Sequence, residues 1–370
     1  MVSPVRLLVF LSLAATAAAA PPMELWFQAP AREAKDALPV GNGKTAVLVS
    51  GDPKVERLVS SAGDFTLRID WLDGDRPTTD YRRSLDLRDG LAVTTWKRGG
   101  SLITTTVLAS RADDVVLVHL LAGMPGALGF RATLEGKGIA SIGDRAELLL
   151  KDPSTPSAPV TRAWVLPFES EVEPDGNSMV IRGEGEAMIV LARAPEPAAG
   201  EAWKRLATRY GGPDEHPDLS KVWAGALAAH QVKHRSLMDR CTLDLGGHEA
   251  AAKPTDERVK AAAGTRSDQD LAALLFHDYL YRAQTLQGDP PARPDTADLL
   301  VSSRNDVIHL LPALPAAWKT GTAKGLPVAG GLTVDLEWQD GTLVRRAVHA
   351  PAPLKVRVNE GGRESEILAE

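Results

Sequence analysis

Two histidines have the spacing of a metal-binding pair. His230 and His234 are four residues apart in a stretch that contains no proline. On a helix this spacing puts both rings on one face, where they could share a metal ion. No third ligand follows them, and neither does an adjacent general base of the kind that an HExxH pattern supplies. We therefore expect the two rings to pack in the interior, with a metal site as the alternative.

Cys241 is the only cysteine in the chain. A thiolate nucleophile needs cationic neighbours in a cleft, whereas Cys241 lies among apolar residues at the end of a predicted helix. A single thiol also excludes an internal disulfide, so a hydrophobic core must supply the stability. The residue is predicted to be a buried structural thiol rather than a nucleophile. His309 is likewise predicted to be structural.

Carboxylates that face each other across a pocket could act as a general acid and a general base. Asp268, Asp270 and Asp278 are candidates by residue type. Their spacing does not show that any two of them converge on a cleft. Asp268 and Asp270 come directly before a stretch with helical periodicity, where carboxylates favour the positive end of the helix dipole. We therefore expect these two residues to cap and solvate a helix start.

Tryptophans could form a platform for a sugar, because aromatic ring faces pack on the C–H surface of sugar rings. The candidates are Trp71, Trp96, Trp164 and Trp203. Burial in a core is the more common fate of tryptophan side chains. We therefore predict core positions for these residues, with a binding platform as the alternative.

Short runs rich in Val, Ile, Leu and Thr fill residues 24–194, separated by turn signals such as Asp-Gly and Gly-Gly. The predicted strands include residues 45–50, 101–109, 115–121, 179–182 and 187–192. Many short strands at this spacing indicate an antiparallel sandwich. No alternation of strands with helices is present, which argues against a doubly wound fold.

Helical periodicity replaces the strand pattern after residue 201. Apolar residues recur at helical spacing between Trp223 and Met238. The same behaviour returns over residues 267–284, with Ser267 or Asp268 placed as the cap. Two or three helices are therefore predicted after the sandwich.

A proline-rich break separates these helices from a second set of strands. Residues 288–294 (GDPPARP) stop any helix, because proline lacks a backbone donor and clashes with the preceding turn. Strand patterns then return over residues 326–358, with Gly-Gly and Asp-Gly hairpin signals. The predicted fold is mainly β with a short α segment: an N-terminal antiparallel β-sandwich, two or three linker helices and a small C-terminal β-sandwich-like unit.

Composition and charge exclude several classes of protein. The chain has 370 residues, 44% of them hydrophobic and 24% charged, and its net charge is -6. These values are typical of a globular protein of two or three units, and the absence of a basic stripe argues against nucleic-acid binding. Residues 1–20 combine Arg6, an apolar run and a series of alanines, the order of a secretory signal peptide. We therefore predict a secreted or periplasmic protein, with an uncleaved anchor as the alternative, and no other segment suited to crossing a membrane.

Motifs at the start of the chain resemble those of a known family of enzymes. Residues 24–27 (ELWF) precede residues 37–44 (ALPVGNGK), and residues 81–87 (YRRSLDL) follow. The Gly-Asn-Gly sequence suits a tight turn between strands, because both residue types tolerate a positive φ. The set is similar to the opening of the N-terminal domain of glycoside hydrolase family 95, the α-L-fucosidase type.

The resemblance continues near the end of the chain. Residues 230–246 are similar to the linker helix of that family, and residues 330–338 (GGLTVDLEW) are similar to a later strand motif. Residues 306–318 (DVIHLLPALPAAW) are the most specific match, because they closely resemble the C-terminal signature. The motifs therefore cover both ends of the chain.

In that family a catalytic (α/α)₆ barrel lies between these two regions. The resemblance implies that the barrel holds a glutamate acid and an aspartate base, which asparagine side chains position. Here only residues 255–298 separate the linker helix from the C-terminal region. Twelve helices of about 11 residues with connections of about 5 need on the order of 190 residues. The barrel is therefore expected to be absent. Residues 285–294 (TLQGDPPARP) also lack the asparagines of the matching family segment, so we assign no catalytic residue, no cofactor and no metal ligand.

The predicted domains are a signal peptide (1–20), a family 95-like N-terminal sandwich (21–200), a helical linker with a barrel remnant (201–288) and a C-terminal β domain (289–370). The leading hypothesis is an exported, non-catalytic protein that binds glycans or has a structural role. The alternatives are an α-L-fucosidase or related hydrolase with a rebuilt or partner-completed site, and the unstable product of a gene with an internal deletion. A glycan is the candidate ligand, and linker helices with exposed apolar surface would favour self-association.

Overall fold

The computed structural model describes residues 23–143, 146–155, 157–169, 172–212, 216–263, 267–286 and 294–370. The predicted signal peptide lies outside these ranges, and so does almost all of the proline-rich segment at 288–294. Within them the chain is mainly β, with strands followed by helices and then by strands again. This order confirms the fold class that the sequence predicts.

The N-terminal sandwich contains a nine-stranded antiparallel sheet. Its strands are, in spatial order, β1 (Glu24–Phe27), β6 (Thr79–Asp86), β7 (Leu91–Arg98), β8 (Ser101–Ala109), β9 (Val116–Ala122), β16 (Glu186–Ala194), β13 (Val160–Pro167), β12 (Glu147–Lys151) and β11 (Ile139–Ile142). Most neighbours along the chain are joined by short turns, as expected for antiparallel pairing.

A seven-stranded antiparallel sheet packs against the first. Its strands are, in spatial order, β14 (Glu173–Asp175), β15 (Ser178–Glu184), β10 (Leu128–Gly136), β5 (Phe65–Trp71), β4 (Val55–Ser60), β3 (Ala46–Val49) and β2 (Leu38–Gly41). Strand β5 shows why the sheets pair: Phe65, Leu67, Ile69 and Trp71 are buried while the residues between them are only half-buried. Because side chains alternate along a strand, one face of β5 enters the main core.

The outer face of the nine-stranded sheet is covered by helices. They are α1 (Ala202–Leu206), which continues into a π-helical turn at Ala207–Gly211, and α2 (Leu219–Met238). Val222 and Ala226 of α2 are buried in a second layer of apolar contacts with this sheet, and the Trp223 ring stacks on His119 with 4.4 Å between centroids. Val232, on the solvent side of α2, is 71% exposed. Self-association through such a surface stays a prediction.

Three further helices lie between the two β regions in the described part of the chain: α3 (Thr255–Ala261), α4 (Gln269–Thr285) and α5 (Thr296–Leu300). They have 7, 17 and 5 residues. Such short elements form no closed ring over the described residues. None of the helices described is long and apolar enough to span a bilayer.

The C-terminal unit has two four-stranded sheets. One contains β17 (Thr242–Asp244), β20 (Gly321–Val328), β21 (Leu332–Gln339) and β22 (Thr342–His349); the other contains β18 (Val301–Arg304), β19 (Val307–Leu310), β23 (Leu354–Glu360) and β24 (Arg363–Ala369). Their shared core includes Trp318 and Trp338. The indole Nε1 of Trp338 donates a hydrogen bond to the Trp318 carbonyl at 2.8 Å. Cys241 is buried in the same core, as predicted.

Candidate functional site

Helix α4 is anchored in the N-terminal sandwich by its last turn. Tyr281 is fully buried in the main core, and its hydroxyl donates a hydrogen bond to the Pro39 carbonyl at 2.9 Å. The Gly43 amide donates to the carbonyl of Thr285 at 2.9 Å, and Arg111 donates to the carbonyl one residue earlier at 2.8 Å. The last carbonyls of a helix have no partner within the helix. The Gly-Asn-Gly turn therefore joins two strands and also donates a hydrogen bond to a carbonyl at the end of α4.

Helix α3 is attached to the edge strand of the larger sheet. The backbone amide of Trp26 donates to Thr255 Oγ1 at 2.9 Å, and its indole Nε1 donates to the Ala251 carbonyl at 2.9 Å. The Arg82 guanidinium lies over the Trp26 ring, 4.6 Å from the centroid. Helix α3 is therefore held beside β1, and α4 is held beside β2.

A cleft of about 670 Å³ lies between the sandwich and these two helices. This volume is within the usual range for small-molecule sites, roughly 300–1,000 Å³. Its apolar walls come from both sides, including Phe27 of β1 and Leu275 of α4. Its ionisable lining residues are Arg32, Lys35, Asp36, Arg83, Asp256, Lys260, Asp278 and Arg282. We refer to this space as the helix–sandwich cleft.

Two carboxylates of the cleft belong to ion pairs within single helices. Asp278 accepts from Arg282 Nε at 2.9 Å on both oxygens, and Asp256 lies 3.7 Å from the Lys260 ammonium. Both pairs have the i,i+4 spacing that brings side chains together on a helix. Burial raises the pKa of Asp278, and the adjacent Arg282 opposes that shift. Of the aspartates considered from the sequence, the structure places only Asp278 in the cleft.

Arg83 is the cleft residue that the sequence analysis did not single out. It is only 3% exposed, and among the described residues it forms no ion pair, although the charges of Asp36, Glu56 and Asp256 favour its protonated form. Its Nε donates to the Ala29 carbonyl and its Nη1 to the Asp36 carbonyl, both at 2.7 Å, and its guanidinium packs on the Phe27 ring at 4.3 Å. Burial lowers the pKa of Arg83 from its usual value. A signal was present in the sequence, because strand alternation puts Arg83 on the same face as buried Leu85.

Asp268 and Asp270 form a structural network with Arg258. Asp268 caps α4 by accepting from the Leu271 amide at 2.8 Å, as predicted. Arg258 donates to Asp268 at 2.9 Å and to Asp270 at 2.7 Å, and His248 Nδ1 lies 2.8 Å from Asp270. The expectation that Asp270 is solvated is wrong, because its side chain is buried between these two partners. Burial would raise the pKa of Asp268, but the hydrogen bond from Arg258 lowers it.

His230 and His234 are buried and stacked, with 5.2 Å between ring centroids, which confirms the predicted packing. Their Nε2 atoms lie 2.8 Å from the Asp89 carbonyl and 3.0 Å from the Leu87 carbonyl. A carbonyl only accepts, so each Nε2 carries the proton and donates. Burial lowers the pKa of His234 to about 4. A Cβ at Gly90 would lie 2.9 Å from the His234 ring, so glycine is needed at this turn.

The remaining candidates have mainly structural positions. Trp71, Trp96 and Trp164 are at most 6% exposed, which confirms their predicted place in the core. Trp203 is half-buried within α1, and His309 is half-buried in β19. Within the described ranges, no group of three or more His, Cys, Asp or Glu side chains is arranged to hold a metal ion.

Comparison with protein families gives three adjacent matches. Residues 59–194 match the glycosyl hydrolase family 65 N-terminal domain, residues 222–293 match the glycosyl hydrolase family 95 catalytic domain, and residues 302–366 match the glycoside hydrolase family 95 C-terminal domain. A curated relative, "Alpha-L-fucosidase 2" of Arabidopsis thaliana, is 38% identical over 173 residues. That alignment covers 46% of this chain and 18% of the relative, so the chain matches less than a fifth of its length.

Solved structures include two distant neighbours. A putative kojibiose phosphorylase from human microbiome aligns with a TM-score of 0.39 at 11% identity, over 66% of this chain and 38% of its own. A family GH92 alpha-mannosidase from Bacteroides thetaiotaomicron aligns with a TM-score of 0.19 at 8% identity, over 55% of this chain and 36% of its own. The two family 95 matches agree with the motifs in the second half of the sequence, whereas the sandwich matches the family 65 N-terminal domain. The chain is similar to glycoside hydrolase family 95 over residues 222–293 and 302–366.

Proposed function

We propose that this family 95-like protein binds glycans without hydrolysing them and that the helix–sandwich cleft is its binding site. The observation that carries the proposal is the composition of the cleft. Apolar surface from Phe27 and Leu275 lies beside polar groups from both walls. Sugar recognition uses this combination, because ring faces contact C–H groups while polar side chains bind hydroxyls. The leader-like residues 1–20 support a place outside the cytoplasm, as part of the same proposal.

Two of the three carboxylates that line the cleft, those of Asp256 and Asp278, have partners that favour binding rather than catalysis. Glycoside hydrolysis uses an acid and a base or nucleophile, ~5–9.5 Å apart on either side of the sugar bond. Asp278 and Asp256 are each held by a cation one turn further along the same helix. Asp268 and Asp270 are held by Arg258 away from this cleft. Asp256 and Asp278 thus form ion pairs within α3 and α4, and Asp268 and Asp270 connect α4 to α3 through Arg258.

A hydrolase of the α-L-fucosidase type is the second candidate. One observation favours it: burial raises the pKa of Asp278, the property that a general acid needs, and Asp256 lines the same cleft. The relative named as an alpha-L-fucosidase supports the same chemistry. In this second proposal Asp278 would protonate the departing sugar oxygen.

Two measurements on the purified full chain separate the candidates. Binding to a panel of immobilised glycans tests the first, and release of the aryl group from a fucosyl aryl-glycoside tests the second. We expect glycan binding and no turnover above a blank. Turnover that is lost in Asp278→Asn and kept in Asp175→Asn, an exposed aspartate paired with Arg131 far from the cleft, would establish a hydrolase instead. Absence of binding to every glycan would end the binding proposal.

A further inference from the structure

We infer that the helix–sandwich cleft binds an acidic glycan, with a carboxylate or sulfate group of the sugar paired to Arg83. This inference rests on the proposed glycan-binding function and specifies its ligand. A buried charge is stable only when it is paired or well hydrogen-bonded. Arg83 is buried and lines the cleft, and its hydrogen bonds over the described residues go to backbone carbonyls, while the carboxylates of Asp36, Glu56 and Asp256 act on its charge without forming an ion pair there.

The hydrogen bonds of Arg83 leave room for an anion. A guanidinium has five N–H donors. Arg83 uses one on the Ala29 carbonyl and one on the Asp36 carbonyl, which fix the plane of the group. These carbonyls are neutral, so they orient the charge without neutralising it. An oxyanion with two oxygens matches the remaining donors, since arginine binds carboxylates and sulfate-like groups in a bidentate manner.

The charge of the whole cleft agrees with an anionic ligand. Five cationic and three acidic side chains line it. Lys260 and Arg282 are paired with the aspartates of their own helices and Lys35 is paired with Glu33, whereas Arg32 is an exposed residue that lines the cleft. Closely spaced positive groups in a concave site attract anions and raise their local concentration. A neutral sugar would bring no opposite charge into contact with the Arg83 guanidinium.

A sugar fits the cleft better than a free small anion. The Phe27 ring packs on one side of the Arg83 guanidinium, and Leu25 and Leu275 add apolar wall. An inorganic anion would use the charge but leave these walls uncovered. A uronic acid or a sulfated sugar places an apolar C–H face and an anionic group within one small ring. The shared chemistry is therefore an oxyanion attached to a pyranose.

Isothermal titration calorimetry on the full chain tests this inference with four probes. Three are oligosaccharides of the same length: an oligogalacturonide, a sulfated fucose oligosaccharide and a neutral galactose oligosaccharide. The fourth is sodium acetate. We expect an acidic oligosaccharide to bind at least about tenfold more tightly than the neutral one, because a charged hydrogen-bonded pair gains about this factor. Binding should weaken as salt rises from about 50 to about 300 mM. Acetate should bind weakly or not at all. The two acidic probes decide between a carboxylate and a sulfate.

Two variants assign the effect to the cleft. Arg83→Gln and, separately, Arg32→Gln should each lower the affinity for the acidic probe, by about tenfold or more for Arg83→Gln and by a few-fold for Arg32→Gln. Arg88→Gln is the matched control, because Arg88 pairs with Asp239 outside the cleft and should bind like the parent protein. If Arg83→Gln does not fold, as a thermal melt would show, the exposed Arg32→Gln variant and the salt dependence decide.

Equal affinity for acidic and neutral oligosaccharides would overturn the inference and leave glycan binding standing. So would an acidic preference that both cleft variants retain, because the anion would then bind elsewhere. Failure of every oligosaccharide to bind would overturn the inference together with the proposed function. The outcomes are distinguishable because the neutral probe measures glycan binding without the anion.

Discussion

Gly41 and Thr285 approach so closely that a Cβ at position 41 would lie 2.2 Å from the Thr285 carbonyl oxygen. That carbonyl ends α4 and accepts from the amide of Gly43. The glycine therefore determines how near the helix can come to the sandwich, and through the helix it determines the width of the helix–sandwich cleft. The sequence predicts Gly41 as part of a tight turn, and its second role, setting the approach of α4, arises from the contact with Thr285.

Gly41→Ala should destabilise the protein by about 1–3 kcal/mol, because the added methyl group must displace backbone atoms rather than a flexible side chain. Urea unfolding of the full chain measures the change. Gly185→Ala is the control, since a Cβ at that position would have its nearest neighbouring atom 3.9 Å away. Equal stability of the two variants would mean that α4 does not dock as described.

Arg258→Met should cost about 3–5 kcal/mol, the typical effect of leaving buried charges without their partner. Arg258 is 3% exposed and holds both Asp268 and Asp270. Chemical denaturation is again the measurement. Lys260→Met, which removes an exposed pair with Asp256, should cost less than about 1 kcal/mol. A small effect for Arg258→Met would show that the network does not hold α3 to α4.

Stability should fall as the pH decreases from about 6.5 towards 4. Burial lowers the pKa of His234 and of His277 to about 4, below the value of 6.5 in an unfolded chain. In this window the unfolded chain binds more protons, so acid favours unfolding. Each group contributes on the order of 2–3 kcal/mol. Unfolding free energies measured in steps of pH test the slope.

His234→Gln should reduce that slope, because the replaced side chain no longer takes up a proton on unfolding. His349→Gln, at an exposed histidine of β22 that lies 3.0 Å from Asp335 Oδ2, is the comparison variant. An unchanged slope in His234→Gln would contradict the buried neutral state of this ring.

Glu56→Gln should remove a contribution of Glu56 that stabilises the folded chain below about pH 4.5 and is lost by about pH 7, opposite in direction to the contribution of the two histidines. Glu56 is 1% exposed, and burial raises its pKa to about 7 despite hydrogen bonds from Ser50 and the Gly51 amide. The folded chain therefore binds this proton more tightly, and the contribution of Glu56 to stability is lost as the pH rises through 7. The loss is on the order of 3 kcal/mol.

The measurement for Glu56→Gln is the difference in unfolding free energy between pH 5 and pH 8, taken as approximate limits of the titration. The unfolding free energy of the variant, relative to that of the parent protein, should be higher at about pH 8 than at about pH 5. Glu135→Gln, at an exposed glutamate paired with Arg68, is the control and should follow the parent protein. Parallel curves for parent and Glu56→Gln would show that Glu56 is not titrating in the folded core.

The sequence by itself determined the elements and their order. Alternation in β5, the Asp268 cap of α4 and the helical spacing of His230 and His234 are local patterns, and local backbone preferences decide such features. The motifs at both ends likewise indicated family 95. These predictions hold because each depends on residues within one or two turns of one another.

Only the tertiary structure decided what meets at the cleft. Tyr281 reaches Pro39 across 242 positions of the chain, and Trp26 reaches Thr255 across 229. No periodicity encodes which distant surfaces pack together, because that choice depends on the sum of many contacts formed at once. For the same reason Asp270, which we expected to be solvated, is buried beside Arg258. Arg83, a strand residue, is likewise a buried cation that lines the cleft.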